Sequence, residues 1–197
     1  MINNMSDYLS KSQQKKLGFN KVGINCKISK KINAYNLKCS VGKHVRIDDD
    51  VTLKGKINIG SNVHISKGCT LSGGEKGIVL ENFSALSNYC QLFTDSDDYL
   101  KTPFPGATLN KIQRKKFTKF YSNKISIGKA SIIGPFGVIL PGAEIGDFCT
   151  AAPFSLIYKK IKSGYFFSTF NFSKPIYKKR NLSKLKKFYE KNFKRIN

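Results

Sequence analysis

The chain has 197 residues, 40% of them hydrophobic, with 35 Lys and Arg against 12 Asp and Glu, a net charge of +23. That length and apolar fraction suit one packed domain and exclude a disordered chain, and no run approaches the roughly 18 apolar residues of a membrane span. The N-terminus, MINNMSDYLSKSQQKK, lacks the apolar core of a signal peptide, so a cytoplasmic protein is expected. The positive charge suits a phosphorylated partner or an anionic surface. Its lysines are spread along the whole chain, and without an RNA- or DNA-binding motif no nucleic-acid partner is expected.

Residues 1–21 are predicted as an N-terminal helical segment, capped at Ser6, with Tyr8, Leu9 and Leu17 on its apolar side and Gly18 closing it. From Val22 a different rhythm begins. Aliphatic residues stand at Val22 and Ile28, then at Val41, Ile47, Leu53, Ile59, Ile65 and Leu71. They return at Leu80, Leu86 and Leu92, and again at Ile127, Ile133, Ile139, Ile145, Ala151 and Ile157. The next residue is often small or acidic, as at Gly23, Gly42, Asp48, Gly60, Glu81, Gly128, Gly134 and Gly146.

A period of six fits neither a helix nor a lone alternating strand. It fits an all-β solenoid over residues 22–157, three short strands per coil, with aliphatics of successive coils stacked into one core. At about 4.8 Å per coil, six or so coils make a prism on the order of 30 Å tall. Cys26, Cys69, Cys90 and Cys149 each follow an aliphatic position by four, a small inward site near a corner. With no CxxC or metal spacing, the cysteines read as small core hydrophobes, and Cys69 and Cys90 should lie on neighbouring coils.

The rhythm breaks once. LFTDSDDY, Leu92–Tyr99, brings Asp95, Asp97 and Asp98, and a loop over residues 98–124 follows with no period. A repeat interrupted by acids and a long loop concentrates its chemistry there. Residues 158–197 form a C-terminal extension: a basic connector, an aromatic-rich stretch, and NLSKLKKFYEKNFKR with Leu182, Leu185, Tyr189 and Phe193 at helical spacing. This amphipathic helix is expected to cap the solenoid; its basic outer face also suits peripheral attachment to a membrane surface.

The segment Ile125–Ile157, ISIGKASIIGPFGVILPGAEIGDFCTAAPFSLI, resembles the hexapeptide-repeat acyltransferases. KKLGFNKVGINCKISKKINAYN and GEKGIVLENFSALSNYCQLFTDSDDYL are similar to segments of sugar O-acetyltransferases from capsule and O-antigen pathways. The resemblance implies a left-handed parallel β-helix that works as a homotrimer. It also implies acetyl-CoA as donor in the groove between prisms, no metal, and a sugar, sugar nucleotide or polysaccharide acceptor at the loop. Relatives carry a catalytic histidine where Asp97 stands here.

A hydroxyl nucleophile needs a base within reach, and imidazole suits that near neutral pH. Of the two histidines, His44 reads as surface. His64, in SNVHISKG, is expected at a corner, where it would act as base, oriented by Asp97 or Asp98 across a subunit interface. Asp97 and Asp98 are the alternative bases, and Ser66 and Asp95 the candidate acceptor contacts. Positions matching the family's cofactor contacts are Pro135, Pro153, Tyr158, Lys159 and Arg180. The stretch AAPFSLI departs from the family's glycine-alanine pattern, and proline loses a backbone donor.

The expected function is O-acetylation of a sugar hydroxyl from acetyl-CoA. N-acetylation of an amino sugar nucleotide is the enzymatic alternative, since an amine needs a weaker base. A non-catalytic β-helix scaffold is the third reading. A γ-type carbonic anhydrase, which needs three histidine ligands, is excluded by the two histidines present.

Overall fold

A computed structural model describes residues 7–101, 104–169 and 175–193. The six-residue rhythm builds a left-handed β-helix with three faces. The first face carries Thr70–Ser72, Gln91–Phe93, Val138–Ile139 and Leu156–Ile157, and the second carries Ile78–Leu80, Ile125–Ile127 and Glu144–Ile145. The long strands Asn33–Val41 and Thr52–Ile59 run through both, so the two faces share one sheet in the early coils. The third face stacks Lys27–Ile28, Arg46–Ile47, His64–Ile65, Ala85–Leu86, Ile132–Ile133, Thr150–Ala151 and Tyr165–Ser168 in parallel. Ile176–Lys179 ends it as an antiparallel strand.

Every aliphatic in the rhythm from Ile28 to Ile157 is buried, and Val22 packs against the same core. Burying each such side chain contributes roughly 1.5–3 kcal/mol. Register keeps like on like: Leu53 pairs with Leu71, Leu71 with Leu92, Leu92 with Ile139 and Ile139 with Ile157. Cys39, Cys69, Cys90 and Cys149 are buried among them and Cys26 is half-buried, all as free thiols. Burial pushes the Cys39 thiol up to about 12. A hydrogen bond to Cys90 and burial push Cys69 up as well, which places these two on adjacent coils.

Most corners turn through a left-handed residue. Between the second and third faces these are Asn25, His44, Asn62, Phe83, Ala130 and Phe148. Between the third and first faces they include Tyr89, Phe136 and Phe154. Aromatic residues at positive φ are strained, and here the rings recover that cost by stacking. Tyr89 lies on Phe136 at 5.3 Å and Phe136 on Phe154 at 5.0 Å, nearly parallel. Gly68, the next residue down this corner, has no Cβ to collide with the Tyr89 ring.

Helix α1 spans Lys11–Leu17. Its cap is Ser10, with Gln13 completing a capping box, and Gly18 ends it at φ 98°; Ser6 lies outside the described residues. Helix α2, Lys111–Phe117, sits in the long loop. Helix α3, Leu182–Phe193, starts beside Gly164 and runs down the corner of Phe148 and Phe83. Tyr189 meets Phe83 at 5.4 Å and Phe148 at 5.8 Å, and Phe193 meets Phe83 at 5.1 Å. The Tyr189 and Phe193 rings are therefore turned onto the prism, while Phe188 stays exposed. Among the described residues no helix is long and apolar enough to cross a membrane.

Truncating Leu53 to alanine in the centre of the stack is expected to cost about 2–5 kcal/mol in equilibrium urea unfolding. In thiol titration of the folded protein at mildly alkaline pH, Cys26 is expected to react first. Cys39 and Cys69 should become reactive only with denaturant.

Candidate functional site

The rhythm stops after Leu92 because the chain leaves the coil at Thr94. Asp95–Asp97 pairs antiparallel with Phe120–Ser122, a two-stranded clasp that closes the loop at its base. It returns at Asn123, whose N–H donates to Thr94 O at 2.9 Å. The loop therefore emerges at the edge of the first face as a tethered excursion. An alternation signal for the clasp is absent from so short a pair of strands.

The three aspartates serve different ends. Asp98 is 6% exposed, and its Oδ1 accepts the N–H groups of Leu100 and Lys101 at 3.1 and 3.2 Å. Its Oδ2 accepts the Tyr121 hydroxyl at 3.2 Å, so Asp98 holds the loop's shape. Asp95 accepts the Thr94 hydroxyl at 3.2 Å. Asp97 is different. Its Oδ2 accepts the Gly106 N–H at 3.0 Å, while its Oδ1 is buried and has no hydrogen-bond donor among the described residues. The Arg114 guanidinium stands 4.0 Å from that oxygen, over the Phe120 ring at 4.7 Å. Gly106 is required here, since a Cβ would lie 2.6 Å from Asp97 Oδ1.

Asp95, Ser96, Asp97 and Arg114 line a groove of about 410 Å³ whose apolar wall includes Phe93, Val138, Leu140 and Phe120. Phe93 and Leu140 occupy the outward position after the aliphatic, and Tyr158 continues that row, since Leu140 donates to Ile157 O at 2.8 Å. Lys159 lies 5.5 Å from the Tyr158 ring and 5.8 Å from the Tyr177 ring. An apolar strip thus leads from the acids up the first face to a cation two coils away, about 10 Å at the inter-strand spacing. This row was readable in the sequence: the positions after the other aliphatics carry Gly, Ala, Ser, Lys, Asp or Glu, whereas these carry Phe, Leu and Tyr.

The other expected site residues fall elsewhere. His64 is in a strand of the third face, not at a corner, with Ser66 following on the same coil. Its Nε2 pairs with Asp48 Oδ2 at 2.9 Å, and Asp48 Oδ1 accepts Arg46 Nε at 2.6 Å. Within the chain, the carboxylate that pairs with His64 is therefore Asp48, one coil below. Pro135 and Pro153 lie beside the aromatic stack, at the corner bordering the first face. Arg180 sits at the opposite corner, where its Nη1 donates to Phe148 O at 2.6 Å and ties the last strand to the prism. Lys160 is held by Glu144 at 2.8 Å, a bond that raises the lysine's pKa and lowers the carboxylate's.

No family model matches this sequence. The dTDP-4-amino-4,6-dideoxy-D-glucose acyltransferase of Escherichia coli is 31% identical over 149 residues, 71% of this chain and 75% of that one. The chain superposes on AntD, an N-acyltransferase from Bacillus cereus solved with dTDP and 3-hydroxybutyryl-CoA. The TM-score is 0.86 at 29% identity, covering 98% of this chain and 100% of AntD. A serine-to-alanine variant of AntD, solved with dTDP-4-amino-4,6-dideoxyglucose and coenzyme A, gives 0.82 at 29% identity over 96% and 100%. The acetyltransferase domain of PglB from Neisseria gonorrhoeae, 14% identical with a TM-score of 0.54 over 73% and 54%, shares the fold alone.

Removing the carboxylate of Asp98 deletes three accepted bonds at a buried position, each worth roughly 1–3 kcal/mol to the groups left unpaired. Asp98→Ala is therefore expected to speed tryptic cleavage at Lys115 and Lys116 relative to wild type. Equal cleavage rates would remove Asp98 as the loop's anchor.

Proposed function

This chain belongs to the hexapeptide-repeat acyltransferase family of the E. coli dTDP-4-amino-4,6-dideoxy-D-glucose acyltransferase, and from that footing we propose that it transfers an acyl group from an acyl-CoA to the amine of a dTDP-linked 4-amino-4,6-dideoxyhexose. The observation that carries this reading is Asp97 Oδ1, a buried carboxylate oxygen with no donor among the described residues, at the end of the apolar strip of the first face.

The thioester lies beside Asp97, with pantetheine along Phe93, Leu140 and Tyr158 and the cofactor's phosphates toward Lys159. The sugar amine enters beneath the loop and attacks the thioester carbon. Asp97 takes a proton from the bound ammonium, the neutral amine so formed makes the C–N bond, the C–S bond breaks, and the second proton lost by nitrogen leaves with coenzyme A as its thiol. A neutral amine is a good nucleophile, so a carboxylate suffices where a hydroxyl acceptor would need imidazole. That difference accounts for an aspartate at the position where the O-acetyltransferases carry histidine, and it favours N-acylation over the O-acetylation expected from the sequence.

Acetyl and hydroxylated short acyl groups are both candidate donors, and the 3-hydroxybutyryl-CoA bound to AntD supports the larger one. The enzyme works as a homotrimer. The stacked and 42–63% exposed rings of Tyr89, Phe136 and Phe154 beside the first face support a neighbouring prism at that corner. His64 is a surface partner of Asp48 and takes no part in proton transfer.

Incubation with dTDP-4-amino-4,6-dideoxyglucose and a panel of acyl-CoAs is expected to give a product stable to mild alkali, as an amide is; an alkali-labile product restores O-acylation. Asp97→Asn is expected to lower kcat by about 10²–10⁴-fold, with His64→Ala near wild type. The reverse pattern would make His64 the base. Neither binding nor transfer with any acyl-CoA would leave a non-catalytic β-helix.

A further inference from the structure

The contact between Asp97 and Arg114 is incomplete in an informative way. At 4.0 Å the guanidinium is near enough to feel the carboxylate but too far to hydrogen-bond it, and Asp97 Oδ1 is sealed from solvent with that bond unmade. A buried charge-bearing oxygen without a donor is costly. Arg114 itself is loosely held. It belongs to α2, which has no buried residue, its side chain is 46% exposed, and beyond Asp97 it meets the Phe120 ring. Lys115 and Lys116 follow it on the same short helix. Among the described residues, the site thus holds a carboxylate oxygen lacking a donor and, directly beside it, a cation lacking a bonded acceptor.

We propose that Arg114 is the specificity-determining residue for the acceptor: it stands guard over Asp97 in the free protein and moves to the diphosphate of the sugar nucleotide when the sugar's ammonium takes the place beside Asp97. This rests on the N-acyl reading of the same groove. The acceptor carries its cation and its anion at opposite sides of one sugar ring. Binding exchanges one unbonded internal contact for two charge-assisted ones, ammonium to Asp97 and diphosphate to Arg114. Guanidinium suits the second because its planar fork matches phosphate oxygens. The Phe120 ring gives the side chain a surface to pivot on.

Selectivity follows from needing both charges at once. A nucleotide-linked neutral sugar draws Arg114 away and leaves Asp97 Oδ1 without a donor. An amino sugar lacking the diphosphate fills Asp97 and leaves Arg114 displaced with no anion. Only an amino sugar nucleotide completes both.

The test combines calorimetric binding of dTDP, without acyl-CoA, with steady-state kinetics on the amino sugar nucleotide, for wild type, Arg114→Ala, Arg114→Lys and Asp97→Asn. Arg114→Ala is expected to weaken dTDP and raise KM by about ten- to a hundredfold, the loss of a charged hydrogen-bonding partner, with a much smaller change in kcat and a shallower salt dependence of KM. Arg114→Lys should recover part of the affinity. Asp97→Asn releases Arg114, so it should bind dTDP more tightly than wild type while binding the amino sugar nucleotide less tightly.

Wild-type affinity of Arg114→Ala for dTDP overturns the exchange, as does weakened dTDP binding by Asp97→Asn. Turnover with an unchanged KM in Arg114→Ala sinks the exchange and leaves the N-acyl reading standing. Arg114-dependent dTDP binding without acyl transfer does the opposite. A wild-type protein that binds no dTDP overturns both. Unaltered thermal unfolding of Arg114→Ala, expected for an exposed residue on an unburied helix, separates these results from misfolding.

Discussion

Leu53 lies beside Leu71, Leu71 beside Leu92, and Leu92 beside Ile139, and the rest of the molecule depends on this stacking of like on like. An aliphatic at every sixth position is buried only if successive coils hold the same register. A shift of one residue would turn each stacked side chain outward. The outward positions are consequently aligned as rigidly as the inward ones. Whatever residue type recurs on the outside becomes a row: Phe93, Leu140 and Tyr158 along the first face, and Tyr89, Phe136 and Phe154 at the neighbouring corner. A straight apolar strip beside a straight aromatic rib needs no dedicated element. It is a by-product of the core.

The coil cannot itself make a concave acceptor site, because its faces are flat and its corners uniform. The excursion after Thr94 supplies the concavity. Its clasp sets Asp95–Asp97 against Phe120–Ser122, and two adjacent acids then divide the work. Asp98 points into the loop and is saturated by Leu100, Lys101 and Tyr121. Asp97, the last residue of the strand, accepts from Gly106, stands beside Arg114, and keeps one oxygen without a donor among the described residues. Two neighbouring carboxylates thus differ in how fully they are bonded.

Much of the solenoid was legible because its signal is repetitive: a single chance leucine means little, but sixteen buried positions in frame from Ile28 to Ile157 do. The site was legible only in part. Asp97 could be singled out by its place in LFTDSD, yet its difference from Asp98 lies in how fully each is bonded, and no period is visible over so few residues. The partner of His64 is Asp48, sixteen positions earlier, a separation set by coil geometry. Arg180 resembles a phosphate ligand by its position near the C-terminus, but the strand before it carries the side chain to the far corner and onto Phe148 O. The first helix is capped at Ser10, where Gln13 closes a box with it.

The two halves of the site rest on different parts of the chain, and this has a chemical consequence. The donor strip belongs to the stacked coils, where substituting an outward residue leaves the core intact. The acceptor end belongs to the loop, where Gly106, Arg114 and Phe120 surround Asp97 without being part of any stack. On the proposed reading, changing Arg114 or Phe120 alters acceptor recognition with little cost to folding, since α2 buries nothing, and changing Asp97 alters the chemistry itself. On the same reading, a fold of this kind exchanges hydroxyl for amine acceptors by altering one base and the loop over it, while the path for the thioester stays where the six-residue register puts it.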